Sequence, residues 1–182
     1  MLHTFVVHVE NKPGVLTRVA SLFRRRGFNI DSLTVGRTER PEVSRMTISV
    51  DTNPDQAQRV EANLYKLVNV LLVEDITHEP AITRDLAMIR VATPGGARTQ
   101  VLELVYIFRA RVVDIAPESV VIEITGTEDK IDGMVELLRP YGVLEMVRTG
   151  IVAMRRGASP GPAAAGTELA TLAAESNLRQ LA

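Results

Sequence analysis

Residues 5–10, Phe-Val-Val-His-Val-Glu, set Phe5, Val7 and Val9 against Val6, His8 and Glu10 at a period of two, which predicts a strand. The period then changes: Val15, Leu16, Val19, Leu22 and Phe23 form a single apolar stripe at helical spacing, predicting a helix from about Pro13 to Arg26. Pro13 suits a first helical turn, and Gly27 suits a left-handed cap behind Arg24, Arg25 and Arg26. Strands are predicted over 29–37 and 43–50, the latter with Met46, Ile48 and Val50 on one face; Thr-Glu-Arg-Pro-Glu between them has the chemistry of a hairpin turn. Asp51-Thr52-Asn53-Pro54 opens a second helix with Ala57, Val60, Leu64 and Leu67 on its stripe, and Asn-Val-Leu-Leu-Val-Glu-Asp-Ile closes the unit. The order is βαββαβ.

After Pro80 the same order returns. Leu86–Ala92 reads as a strand; Ala97, Val101, Leu104, Val105 and Phe108 mark a helix; 111–116 and 119–125 flank a turn at Pro117. Thr127 suits an N-cap for a helix carrying Ile131, Met134, Val135 and Leu138, and 142–149 supplies the closing strand. The expected fold class is α+β: two ferredoxin-like βαββαβ domains, antiparallel sheets with helices on one face. The expected boundaries are 1–78, a linker at 79–82, a second domain over 83–156, and an Ala/Gly/Pro-rich tail over 157–182 with the composition of a flexible segment. The two units repeat an architecture rather than a set of residue identities.

Composition removes several classes of function. With 21 basic and 22 acidic residues among 182 the chain has no bulk field for nucleic acid, and 4% aromatics leave few platforms for bases. No apolar run approaches the length of a membrane span, and the first ten residues lack a signal peptide's basic start and apolar centre, so the expected compartment is the cytoplasm. Without cysteine there are no disulfides and no thiolate metal ligands.

No catalytic constellation emerges. His3, His8 and His78 are the histidine bases; His3 and His8, five apart on one strand, point to opposite faces and read as exposed or satisfied strand residues rather than metal ligands. Glu74-Asp75 and Glu128-Asp129 lie at element ends, where solvation and helix dipoles account for them. Thr-Pro-Gly-Gly-Ala-Arg at 93–98 sits between strand and helix yet lacks either phosphate-loop spacing, and Arg24–Arg26 reads as dipole-matched solvated charge. What remains is residues 11–30: a helix start with free backbone donors, Asn11 before the helix and Asn29 after it, together suggesting a corner for a small carboxylate. Equally, Asn11 can simply cap the helix and Asn29 the strand.

These residues also carry a family resemblance. His-Val-Glu-Asn-Lys-Pro-Gly-Val-Leu followed by Arg-Gly-Phe-Asn-Ile-Asp-Ser-Leu resembles the amino-acid-binding ACT domain. With Ser-Arg-Met-Thr-Ile-Ser-Val and Leu-Tyr-Lys-Leu-Val-Asn-Val-Leu-Leu-Val, the chain resembles the regulatory small subunit of acetohydroxyacid (acetolactate) synthase. The match is strong over the first unit and rests on length and layout over the second; the tail departs from it. The resemblance implies a non-catalytic partner of a large subunit that carries thiamine diphosphate, Mg and FAD, activation of that subunit, and feedback inhibition by valine. It also implies a homodimer whose sheets join edge to edge at the ligand site, with no cofactor on this chain.

The residues suit a zwitterion of that kind. Amides from Gly14 to Leu16 offer donors for a carboxylate, Asn11 and Asn29 offer acceptors for an ammonium, and Val15, Leu16 and Ile30 offer an apolar slot. Pro13 shapes the approach, and Gly14 leaves it free of a side chain. A second reading keeps the same ligand site in a free-standing amino-acid-sensing module acting on another enzyme or a transcription factor; only the partner separates the two.

Overall fold

A computed structural model describes residues 1–157, and the expected tail lies almost wholly outside them. The described residues divide into two units, Met1–Ile82 together with Ala153–Gly157, and Thr83–Val152.

The first unit has β1 (Leu2–Glu10), α1 (Val15–Arg26), β2 (Ile30–Arg37), β3 (Val43–Asp51), α2 (Pro54–Leu64) and β4 (Val70–Asp75). They form an antiparallel sheet in the order β2-β3-β1-β4, so β2 and β4 are its edges. Alternation decides the faces: Phe5, Val7, Val9, Met46, Ile48 and Val50 are buried with Val19, Leu22 and Phe23 of α1 and Ala57, Val60 and Leu64 of α2. Asn53 caps α2, its side chain accepting from the Gln56 amide at 2.8 Å. The helix stops at Leu64, so Leu67, expected on its stripe, instead packs on the core from the following turn. The chain returns to this unit after residue 152: Arg45 donates to the Ala153 carbonyl, Arg155 pairs with Glu74 at 3.5 Å, and the Arg156 amide donates to Pro80 O at 2.7 Å.

The second unit repeats the plan with β5 (Ala81–Ala92), α3 (Ala97–Ile107), β6 (Arg111–Ala116), β7 (Ser119–Gly126), α4 (Glu128–Leu138) and β8 (Val143–Arg148), in the order β6-β7-β5-β8. A short β9 (Val152–Arg155) follows, which the sequence pattern does not announce. Ile89, Val91, Val101, Ile122, Ile124, Ile131, Met134 and Leu138 make its core. Thr127 stands at the N-cap of α4 as expected, but its hydroxyl makes no capping bond; Glu128 and Asp129 supply the favourable charge there. β5 is longer than the strand expected from Leu86, because Thr83, Arg84 and Asp85 continue its alternation with polar side chains. Asp85 is buried and fully used, accepting from Arg148 Nε at 2.7 Å, Thr149 Oγ1 at 3.1 Å and the Gly150 amide at 3.1 Å.

Candidate functional site

The segment between β1 and α1 is a tight turn. The Val15 amide points back at Lys12 O, 3.4 Å away, and Gly14 has φ 82° and ψ −6°, the geometry of a type II turn with proline and glycine at its two central positions. Pro13 therefore lies before the helix rather than in its first turn, because a left-handed Gly14 cannot be helical. The Arg18 amide donates to Gly14 O at 3.0 Å, making Gly14 the N-cap, and with no side chain it caps nothing. The first turn of α1 therefore keeps backbone donors without a side-chain cap and carries no acidic residue. A Cβ on Gly14 would meet nothing within 4 Å, so the glycine is required by its positive φ and opens on free space. At the other end Gly27, φ 72°, closes the helix, its amide donating to Arg24 O at 3.2 Å while the Phe28 amide donates to Phe23 O at 3.1 Å.

Asn11 is exposed and stitched to the β2–β3 hairpin: its amide donates to Glu42 O at 2.7 Å and its Nδ2 to Pro41 O at 2.8 Å. That leaves the carboxamide oxygen as an acceptor. Leu16 is 44% exposed, whereas Val15 is 3% exposed and sits in the core, where its side chain cannot also line an open slot. Ile30 is half-buried against the same core, and Asn29 is exposed.

The two asparagines do not meet within one chain. Glu10 pairs with Val43 and Arg37 with Ser44, so Asn11 and the Gly14 turn lie at that end of the sheet. Ile30 and His3 both pair with Val50, at the other end. The run of β3 from Val43 to Val50 separates the two groups, about 23 Å at roughly 3.3 Å per residue. The sequence reading, which set both carboxamides at one corner, is corrected by this register: α1 runs the length of the sheet, and Asn29 follows its C-terminus.

The other candidates resolve locally. Arg98 donates through Nη2 to Ala116 O at 2.7 Å and Pro117 O at 2.6 Å, tying the 93–98 loop to the β6–β7 turn. His3 is buried, not exposed; its Nδ1 is 3.0 Å from Asp75 Oδ2. Burial works to raise the Asp75 pKa, but the hydroxyl and amide of Thr77 and the His3 ring outweigh it and hold the carboxyl below its ordinary range. His8 is also buried, with Nδ1 unpartnered, and burial followed by the Arg45 guanidinium pushes its pKa down from 6.5 to about 4, against the pull of Glu39. The folded chain therefore resists protonation that the unfolded chain accepts. The stability held by neutral His8 is complete above its unfolded value of 6.5 and drains away as pH falls toward about 4. His8→Gln should reduce the fall in unfolding free energy between about pH 7 and pH 4.5, read from urea titrations, by about 2 kcal/mol, allowing for solvent screening; identical falls in variant and wild type would contradict this.

Sequence reasoning missed a polar cluster beside the turn, in which the buried Glu10 and Asn69 are joined by the exposed Arg18. Nothing in the local pattern marks Asn69, which reads as the polar start of a strand. Among the described residues no group of three or more His, Cys, Asp or Glu is placed to hold a metal ion, and no helix is long and apolar enough to cross a membrane.

A βαββαβ unit with an uncapped glycine turn opening its first helix, followed by a second unit of the same plan, defines a two-domain chain of the ACT class. Residues 5–72 match the family model described as the AHAS small subunit-like ACT domain, and residues 84–157 match that of the small subunit of acetolactate synthase. The chain belongs to the acetolactate synthase small-subunit family. It is 53% identical over 157 residues to a probable acetolactate synthase small subunit of Archaeoglobus fulgidus, covering 86% of this chain and 98% of that one. It is 45% identical over 155 residues to the acetolactate synthase small subunit of Mycobacterium bovis, covering 85% and 92%. The crystal structure of the Thermotoga maritima small subunit superposes with a TM-score of 0.82 at 40% identity, covering 87% of this chain and 99% of that one. As a small subunit the chain is the regulatory, non-catalytic partner; catalysis and its cofactors belong to the large subunit.

Proposed function

We propose that this chain stimulates its large subunit and transmits feedback inhibition by valine or a related branched-chain amino acid, bound where two copies of the first unit meet. The observation that carries the reading is the Gly14 turn: uncapped helix amides opening on free space beside the unused carboxamide oxygen of Asn11. These groups complement a carboxylate and an ammonium, and Leu16 lies beside them for an aliphatic side chain.

The separation of Asn29 and Ile30 from that turn is what a two-fold dimer repairs. β2 is an edge strand with Val35, Gly36 and Arg37 exposed, and an antiparallel pairing of β2 with its copy sets the start of one strand against the end of the other. Asn29 and Ile30 of the partner subunit then arrive at the Arg37 end, beside Asn11, Pro13 and Gly14. Each dimer holds two such sites, and ligand binding is thereby coupled to how the two first units pair. A valine that prefers the inhibited arrangement by about 1 to 3 kcal/mol suffices for such regulation. In this reading residues 1–78 sense the ligand, 83–156 form the second domain, and the protein works in the cytoplasm.

Valine titrated into the isolated chain, with mass followed by light scattering and activity followed on the reconstituted two-subunit enzyme, tests the reading. Saturable binding by a dimer and valine-sensitive stimulation are expected; a chain that neither binds valine nor alters the large subunit's rate would overturn it.

A further inference from the structure

Beneath the Gly14 turn lies a clamp made of two side chains that are almost wholly shielded from solvent. Glu10, 4% exposed, ends β1 immediately before Asn11; Asn69, 3% exposed, stands just ahead of β4. Asn69 donates through Nδ2 to Glu10 Oε2 and accepts through Oδ1 from Arg18 Nη1, while its backbone carbonyl takes the Glu10 amide at 2.9 Å. Lys12 adds an ion pair to Glu10 Oε1 at 3.3 Å, and its amide donates to Glu10 O at 2.9 Å.

The chemistry fixes which way the carboxamide faces: its nitrogen must meet the carboxylate and its oxygen the guanidinium. A carboxamide is the side chain of this size that can donate to one and accept from the other. Arg18 lies one helical turn beyond Gly14, and its amide is the one bonded to Gly14 O. Asn69 therefore grips both ends of the turn, the strand residue that enters it and the helix residue that leaves it.

We infer that Asn69 is the positioning residue of the amino-acid site, holding the Lys12–Val15 turn at the distance and angle that a ligand carboxylate requires. This inference rests on the ligand reading above. Asn69 does not touch the ligand; it fixes where the first amides of α1 lie relative to Asn11, the preorganisation on which affinity depends. Its loss should change the dissociation constant of valine and leave the inhibition at saturating valine unchanged.

The test is calorimetric titration of valine into the full chain at two pH values, with urea midpoints and light-scattering mass confirming a folded protein. Asn69→Leu removes both side-chain bonds and, by loosening the turn, is expected to weaken valine about tenfold at either pH. Asn69→Asp replaces the donor by a second carboxylate against Glu10. Two carboxylates in contact cannot both ionise, so its valine affinity should recover as pH falls from about 8 to about 6. Asn69→Asp combined with Glu10→Gln exchanges the two groups: the carboxamide introduced at position 10 donates, the carboxylate introduced at position 69 keeps Arg18, and binding should return to within about threefold of wild type without pH dependence. That exchange also guards against a single variant that fails to fold. The role of Asn69 is overturned if Gly14→Asp abolishes binding while Asn69→Leu leaves it intact, or if the exchange variant binds no better than Asn69→Asp alone. A wild-type chain that takes up no valine overturns the ligand reading itself, and this inference with it.

Discussion

Gly14→Asp is expected to weaken valine binding by about a hundredfold or more while leaving the chain folded and able to stimulate the large subunit. The backbone at this position, φ 82° and ψ −6°, is left-handed, which costs an ordinary L-residue about 1 to 2 kcal/mol; aspartate is among those that tolerate it best. The new carboxylate sits at the N-cap of α1, where it satisfies the free amides itself and gains about 1 kcal/mol as a cap. Strain and capping nearly offset each other, so the urea midpoint should barely move. The ligand meets a site whose donors are taken and whose charge now repels its carboxylate. Gly14→Ala separates the two effects: it bears the strain without the charge and should lose far less affinity. Calorimetry on the isolated chain reads binding, and valine inhibition of the reconstituted enzyme reads its consequence. Unchanged inhibition in Gly14→Asp would place the ligand elsewhere.

The sequence pattern announced both βαββαβ units because each sheet packs one face on its own helices, so Phe5, Val7 and Val9, or Met46, Ile48 and Val50, must recur at every second residue. Elements that break this relation were illegible. β9 is four residues long, and the first third of β5 reads as polar loop because Asp85 is satisfied by Arg148, Thr149 and Gly150, more than sixty residues away. Pro13 misled by suiting two positions equally well, the first turn of a helix and the second residue of a type II turn; only the positive φ of Gly14 separates them. The candidate site was half visible. Its composition, glycine turn and flanking asparagines, is local and stands in the sequence. That Asn11 and Asn29 occupy opposite ends of the sheet depends on strand register, and that Glu10, Asn69 and Arg18 close a clamp depends on a contact across 59 residues. Both are tertiary facts. His8 likewise gives no sign in sequence of being buried beside Arg45, since strand alternation predicts which face it takes but not what covers that face.

Two inactive variants, mixed, should regain valine binding. In the dimer proposed here each site takes its Gly14 turn from one protomer and its Asn29 from the other, since one chain holds these groups about 23 Å apart. Gly14→Asp homodimers have two damaged sites, and so do Asn29→His homodimers. A mixed dimer concentrates both substitutions in one site, where the carboxylate introduced into the first chain faces the imidazole introduced into the second. Its other site combines the intact turn of the second chain with the intact Asn29 of the first. Random exchange makes about half of the dimers mixed, so about a quarter of the wild-type binding capacity should return, at wild-type affinity. The readout is the stoichiometry of valine bound after the two proteins are unfolded together and refolded, against the same proteins refolded separately and then combined. A site built within one chain recovers nothing on mixing, since every chain carries one of the substitutions. Val35→Lys, which sets like charges across the proposed β2–β2 seam at a side chain now 42% exposed, should abolish recovery and valine binding together while the monomer stays folded. Recovery that persists in monomers would exclude the β2 edge as the origin of the site, whereas absence of recovery among demonstrably mixed dimers would exclude a site shared between protomers.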